Sequence, residues 1–378
     1  MAAMPISNLA SPIWVDSATS LEQMLPGLGR QKKLAVDTES NSLHAYRERV
    51  CLIQFSYPGK DYLLDPLKLA DLSALGPVFA DPGIEKIFHA AEYDLICLRR
   101  DFGYTFKNLF DTMHAARVLG YTAVGLDKLL GEKFGIEVDK RHQKANWAAR
   151  PLTREQIHYA RLDTHYLIEL REVLGLELRE KGRWELAQED FRREAEMEET
   201  RPKVVAEAWE RYSGRRDLSV QELTILAELL ACRQKIAAEL DRPVFKVVSD
   251  EKLIEIARLQ AATKEDLAAT GLSEKQIRLW GKGILGAVQK GLSAKPVERK
   301  PAKRLNDALL NRIDKLKTWR KKAAKEMGVE SDIVLPRVYL HLLAENAPLT
   351  GVKLEGLMSD SPWRFQKFGE EIAAILGR

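Results

Sequence analysis

Hydrophobic periodicity changes character once along this chain, and that change limits what it can fold into. Up to about residue 200, short apolar runs of strand length are interspersed with helical patterns; beyond it only helical spacing remains. Residues 33–36 form a short apolar run that ends in Asp37, and residues 50–57 are rich in apolar and β-branched side chains. A Pro58-Gly59 turn and residues 62–64 complete a predicted hairpin. Residues 86–89 read as another buried strand. Helical patterns follow at 93–101, 112–119 and 126–134, and a longer one runs from 153 to 181. Thr153 with Gln156 three residues on forms a capping-box pattern, with Pro151 just upstream. Strands followed by mixed strands and helices predict an α/β domain whose mixed sheet is flanked by helices.

The remainder is helical. Leu223, Leu226, Ala227 and Leu230 share one helical face, and Leu253, Ile256 and Ala257 repeat the spacing. Ile277, Trp280, Ile284 and Val288 do the same. A linker rich in Pro, Lys and Arg spans 294–304, and Leu309, Ile313, Leu316 and Arg320 begin a last helical region that continues to Arg378. With 378 residues, two or three domains are expected. The predicted boundaries are an α/β domain over 1–200 and all-α domains over 213–292 and 305–378.

Charge is uneven. The chain carries a formal +4, but residues 295–325 hold 12 Lys/Arg against 3 Asp/Glu, while 185–199 is acid-rich. A basic stretch is either an electrostatic footprint for nucleic acid or a solvated linker and helix face. Residues 213–292 are nearly balanced, 13 basic against 11 acidic. Cys51, Cys97 and Cys232 lie among apolar residues without a zinc or redox spacing, so they read as free core thiols. The first 13 residues lack a basic segment followed by an apolar one, and no run of 18 apolar residues occurs. A cytoplasmic protein with no membrane partner is expected.

Three short patterns carry candidate chemistry. Asp37-Thr38-Glu39 closes the first predicted strand, where positions i and i+2 point to one side. Asp94 falls in the first turn of a predicted helix, where the dipole favours an anion. Tyr159 and Asp163 share a helical face. Each pattern alone is ordinary surface chemistry. Together they supply four carboxylates from separate elements and one proton-handling group. Hard oxygen ligands of this kind suit Mg²⁺, and two ions about 3.5–4 Å apart suit phosphoryl displacement.

Asp37-Thr38-Glu39 followed by Cys51-Leu52-Ile53-Gln54 resembles the first exonuclease motif of the DEDD superfamily, and His89 to Leu95 resembles the second. Trp147 to Thr153, continuing through Gln156 to Tyr159 and Asp163, resembles the third as it stands in ribonuclease D. The resemblance implies a ribonuclease-H-like fold, two divalent metal ions (Mg²⁺ or Mn²⁺) per active site, and 3′-to-5′ hydrolysis. It implies Asp37, Glu39, Asp94 and Asp163 as metal-binding acids and Tyr159 as the catalytic tyrosine. The superfamily also has a histidine branch, and His158, Ala160 and Asp163 satisfy its spacing. On a regular helix Tyr159 lies about 40° from Asp163 and His158 about 140° away, which favours Tyr159.

Residues 215–292 resemble the HRDC domain, with Cys232-Arg233 where that module commonly has Trp-Arg. Residues 305–378 resemble a diverged second copy that keeps Trp319-Arg320. Such modules generally help bind nucleic acid, or else pack against the catalytic domain. The family implies an RNA partner with a single-stranded 3′ end, such as tRNA precursors. The alternatives are a DNA exonuclease of the same fold and a catalytically silent RNA-binding protein. The oligomeric state is left open.

Overall fold

The computed structural model describes residues 10–197, 205–212, 217–299 and 306–377. The start of the N-terminal segment and residues 300–304 of the predicted linker lie outside them. The strands are β1 (Ile13–Val15), β2 (Lys33–Ser40), β3 (Val50–Tyr57), β4 (Lys60–Leu64), β5 (Glu85–Phe88) and β6 (Leu109–Asp111). They form one mixed sheet in the order β1-β4-β3-β2-β5-β6. β2, β3 and β4 are antiparallel neighbours, and β5 and β6 run parallel to β2. The predicted hairpin is β3–β4. Two strands escaped prediction because each is three residues long, too short to show a period.

The helices of this part are α1 (Ala18–Gly29), α2 (Gly76–Ala80), α3 (Glu92–Phe102), α4 (Thr112–Leu119), α5 (Leu126–Phe134), α6 (Arg154–His165), α7 (Leu167–Glu180) and α8 (Trp184–Glu196). Strand alternation sorts the core. Leu34 and Val36 pack with α1 and α3 on one face, whereas Ala35 packs with α4, α7 and α8 on the other. This is the mixed sheet flanked by helices that the sequence predicts.

Two expectations need correction. The single helix expected over 153–181 is two, joined at Tyr166. Leu162, Tyr166, Leu167 and Leu170 enter one core across the joint, so the hydrophobic period does not register the break. The first predicted strand also runs four residues further, to Ser40, which puts Asp37 and Glu39 inside β2.

The chain divides into two compact units. One comprises residues 1–40, 50–199 and 305–378; the other comprises 41–49 and 200–304. The second unit contains α9 (Val220–Glu239), α10 (Val244–Val247), α11 (Asp250–Leu259), α12 (Lys264–Ala269) and α13 (Glu274–Ser293). Its core joins Leu226 and Leu230 of α9, Ile256 of α11 and Ile284 and Val288 of α13. A Cβ on Gly291 would lie 2.6 Å from the Ile225 Cα, so glycine lets α13 approach α9. None of the helices among the described residues is long and apolar enough to cross a membrane.

The last segment forms α14 (Asp307–Met327), α15 (Ser331–Val334), α16 (Arg337–Asn346), α17 (Gly351–Leu357) and α18 (Pro362–Leu376). It has its own core, yet Met327, Val329, Ile333 and Trp363 pack into the apolar cluster of α4, α7 and α8. The acid-rich stretch is where it docks. Arg364 is fully buried and donates to Glu189 (2.7 Å) and Asp190 (2.8 Å) of α8 and to the Ile333 carbonyl. Glu189 also accepts the Trp363 N–H at the start of α18.

Removing one partner of a buried, hydrogen-bonded ion pair leaves the other charge stranded, which costs about 3–5 kcal/mol. Arg364→Leu is therefore expected to destabilise the first unit by about that much in chemical denaturation. Arg117, paired with the more exposed Glu330 and Asp332, should cost no more than about 1 kcal/mol when changed to Ala. Equal losses would mean that the last domain is held by something other than the buried pair.

Candidate active site

Four acids from three stretches of sequence meet at one end of the sheet. On β2, Asp37 and Glu39 fall on the side of Ala35 by alternation. Asp163 is on α6 and Asp94 in the first turn of α3. Asp37, Glu39 and Asp163 each offer a carboxylate oxygen, and these atoms lie within 4.8 Å of one another. Asp94 joins them through Thr38, whose hydroxyl donates to Asp94 Oδ1. All four acids and Tyr159 line one cleft of about 380 Å³. Across the β2–β3 pair, the buried Gln54 donates to Asp37 Oδ2 at 3.3 Å.

The third motif is held by the β3–β4 hairpin. Arg150 donates to both oxygens of the buried Asp65, at 2.6 and 2.8 Å, and to the Cys51 carbonyl at 2.7 Å. Planar bidentate pairing fixes direction as well as distance. α6 then begins with the predicted capping box between Thr153 and Gln156. Further along, Asp61 of β4 accepts from Arg161 (2.6 Å), His165 (2.9 Å) and Ser56 (2.7 Å). Two anchors on one hairpin thus bracket Tyr159 and Asp163. The Tyr159 ring packs 6.0 Å from that of Trp147 and is nearly buried. His158 is exposed and does not line the cleft.

Burial and mutual repulsion act on each of the four acids. Burial raises the Asp37 carboxyl well above the usual range, with Asp163 adding to it. Glu39 is raised by burial and then by Asp37, Asp163 and Asp94. Asp94 is raised by burial and then by Asp37. Asp163 reaches about 8 through burial, against a hydrogen bond from Tyr159 that lowers it. The Tyr159 phenol is pushed far up by burial and by the facing carboxylates, so it stays protonated.

Among the described residues, no Lys, Arg or His forms an ion pair with any of the four acids. Lys140 lines the cleft but pairs with Asp127 at 2.6 Å. An all-oxygen donor set under that much repulsion fits a hard divalent cation such as Mg²⁺ or Mn²⁺. The sequence patterns did not single out Thr38 or Lys140. A lone Thr or Lys between better-marked residues carries no periodic signal.

Comparison with known proteins gives the family of both halves of the chain. Residues 12–179 match a 3′-5′ exonuclease family model, and residues 222–288 and 310–376 each match an HRDC domain. The exosome complex exonuclease RRP6 of Saccharomyces cerevisiae is 42% identical over 173 residues, which is 46% of this chain and 24% of that protein. The chain spans 40% or less of the length of the first RRP6-type relatives. Ribonuclease D of Desulfotalea psychrophila is 31% identical over 274 residues, covering 70% of this chain and 71% of that one. The crystal structure of Escherichia coli RNase D superposes with a TM-score of 0.71 over 97% of this chain and 98% of that one; at 24% identity it supports the fold.

A carboxyl with a raised folded-state pKa costs nothing below about pH 4, where unfolded carboxyls are also protonated. It costs progressively more as pH rises from there towards its folded value, about 8 for Asp163, and no more beyond it. In chelator, Asp163→Asn should therefore melt with the parent near pH 4 and above it near pH 8. A variant that melts below the parent at pH 8 would contradict the assigned repulsion.

Proposed function

The chain belongs to the ribonuclease D family, and from that premise we propose that it is a metal-dependent exoribonuclease that removes nucleotides from RNA 3′ ends. The observation that carries the proposal is the convergence of Asp37, Glu39 and Asp163, with Asp94 tied in through Thr38 and no Lys, Arg or His among the described residues paired with them. Asp37, Glu39, Asp94 and Asp163 would hold two divalent ions, which when bound supply charge neutralisation at the phosphodiester and activation of the attacking water. Tyr159 keeps its proton, so its work is to orient that water by hydrogen bonding rather than to deprotonate it. Asp163 accepts the Tyr159 hydroxyl and fixes its direction. The substrate we propose is a tRNA precursor or similar structured RNA with a single-stranded 3′ tail, in the cytoplasm.

RNA and DNA strands of one sequence, labelled at the 5′ end and incubated with Mg²⁺, Mn²⁺ or a chelator, test this reading. Stepwise shortening of the RNA from its 3′ end, lost in chelator, is expected. Shortening of DNA alone would move the protein to the DNA alternative, and no product under any metal would leave only a binding role. With the same assay, Tyr159→Phe should slow turnover by roughly 10²–10⁴-fold, the usual contribution of a positioned proton-handling group. His158→Ala should stay within a few-fold of the parent; if it is the more severe change, the histidine branch applies.

The basic stretch contributes exposed lysines, Lys315, Lys317, Lys321, Lys322 and Lys325, along α14. Deleting the last domain would also strip the cover from Glu189, so charge removal is the cleaner test. Changing Lys315, Lys321 and Lys325 to Gln should lower the slope of log affinity for single-stranded RNA against log salt by up to about 2 units. An unchanged slope would assign this helix face to solvent.

A further inference from the structure

Asp94 stands apart from the three acids whose oxygens lie within 4.8 Å of one another. It is carried on α3, and Asp37 repels it. α3 has no side-chain N-cap, and the turn that leads into it passes through Ala90 at φ 63°. Left-handed backbone is unfavourable for a residue with a Cβ and persists only where the surroundings impose it.

The turn is tied to a line of hydrogen bonds leading away from the cleft. The Ala91 N–H, at the start of α3, donates to Asp111 Oδ2 at 2.6 Å in a buried bond. The other oxygen of Asp111 caps α4 by accepting the His114 N–H at 2.8 Å. The His114 ring meets Asp190 Oδ2 of α8 at 2.8 Å, and since a carboxylate can only accept, Nε2 carries the proton. That same Asp190 oxygen accepts from Arg364 of α18 at 2.8 Å. Glu194 of α8, pushed up to about 10 by burial and by Asp111, is protonated and hydrogen-bonds to Asp111 as well.

We propose that the last helical domain is a positioning element for the metal site: the line Arg364–Asp190–His114–Asp111 fixes the Ala90–Ala91 turn and so keeps Asp94 beside Asp37. His114 and Arg364 are positioning residues in this scheme and touch neither metal nor substrate. The proposal deepens the metal reading of Asp94 and rests on it. It gives the last domain work at the cleft that is independent of any RNA contact it makes.

His114 is the link to cut. Its side chain is 23% exposed, and Asp190 keeps Arg193 (2.6 Å) and Arg364 as partners when it is lost, so the variant retains its buried pair. The full chain, His114→Ala and His114→Gln are compared by Mn²⁺ binding, read as loss of the free-ion electron-spin-resonance signal, and by amide exchange over residues 89–95 without metal. His114→Ala should bind Mn²⁺ about tenfold more weakly, the low end of what outer partners of a metal site contribute. Its Ala91 amide should exchange faster. His114→Gln, whose amide nitrogen can occupy the place of Nε2, should recover to within about twofold of the parent on both readouts. Unchanged Mn²⁺ binding by His114→Ala, or a Gln variant as impaired as the Ala variant, overturns the positioning role and leaves the metal reading intact. A parent that binds no Mn²⁺ overturns both.

Discussion

Like charges do not collect in a low-dielectric cleft unless the surrounding structure compels them to. Asp37, Glu39, Asp94 and Asp163 each stand in a position where burial and at least one of the other acids oppose ionisation, and Glu39 is opposed by all three. A fold that only needed stability would separate them or supply a lysine. Here no Lys, Arg or His among the described residues pairs with the carboxylates, and much of the first unit reads as the means of holding them.

Two structures supply most of that restraint. The β3–β4 hairpin anchors the third motif at Asp65, through Arg150 ahead of Tyr159, and at Asp61, through His165 beyond Asp163. The docking of α18 on α8 acts from the other side, through a buried arginine with two carboxylates. Buried ion pairs contribute little net stability compared with apolar packing of the same volume, but they fix geometry. That distinction explains why so many charged groups are buried in a domain whose cores are otherwise apolar.

Legibility from sequence followed length and period. Helices with one apolar face stood out: α4 and α5 lie where the spacing placed them. The β3–β4 hairpin was marked by its turn residues. β1 and β6 are too short to be periodic, and the joint between α6 and α7 is invisible because the apolar spacing runs through Tyr166. The candidate site was legible as motifs, and the alternation along β2 and the angle between Tyr159 and His158 on a helix were enough to orient three of its side chains. The supports were not legible. Arg364 with Asp190, and Arg150 with Asp65, are separated by 174 and 85 residues, and nothing local marks either pair. An acid-rich stretch such as 185–199 reads as solvated until its partner is known.

The central claim is that the four carboxylates constitute a divalent-metal site. Crystals of the chain soaked in Mn²⁺, with anomalous diffraction recorded at the manganese edge, test it without reference to activity. The account requires two anomalous peaks about 3.5–4 Å apart in the cleft, ligated by Asp37, Glu39, Asp94 and Asp163. A cleft without a peak at saturating Mn²⁺, or manganese bound elsewhere with these four acids unligated, would contradict it.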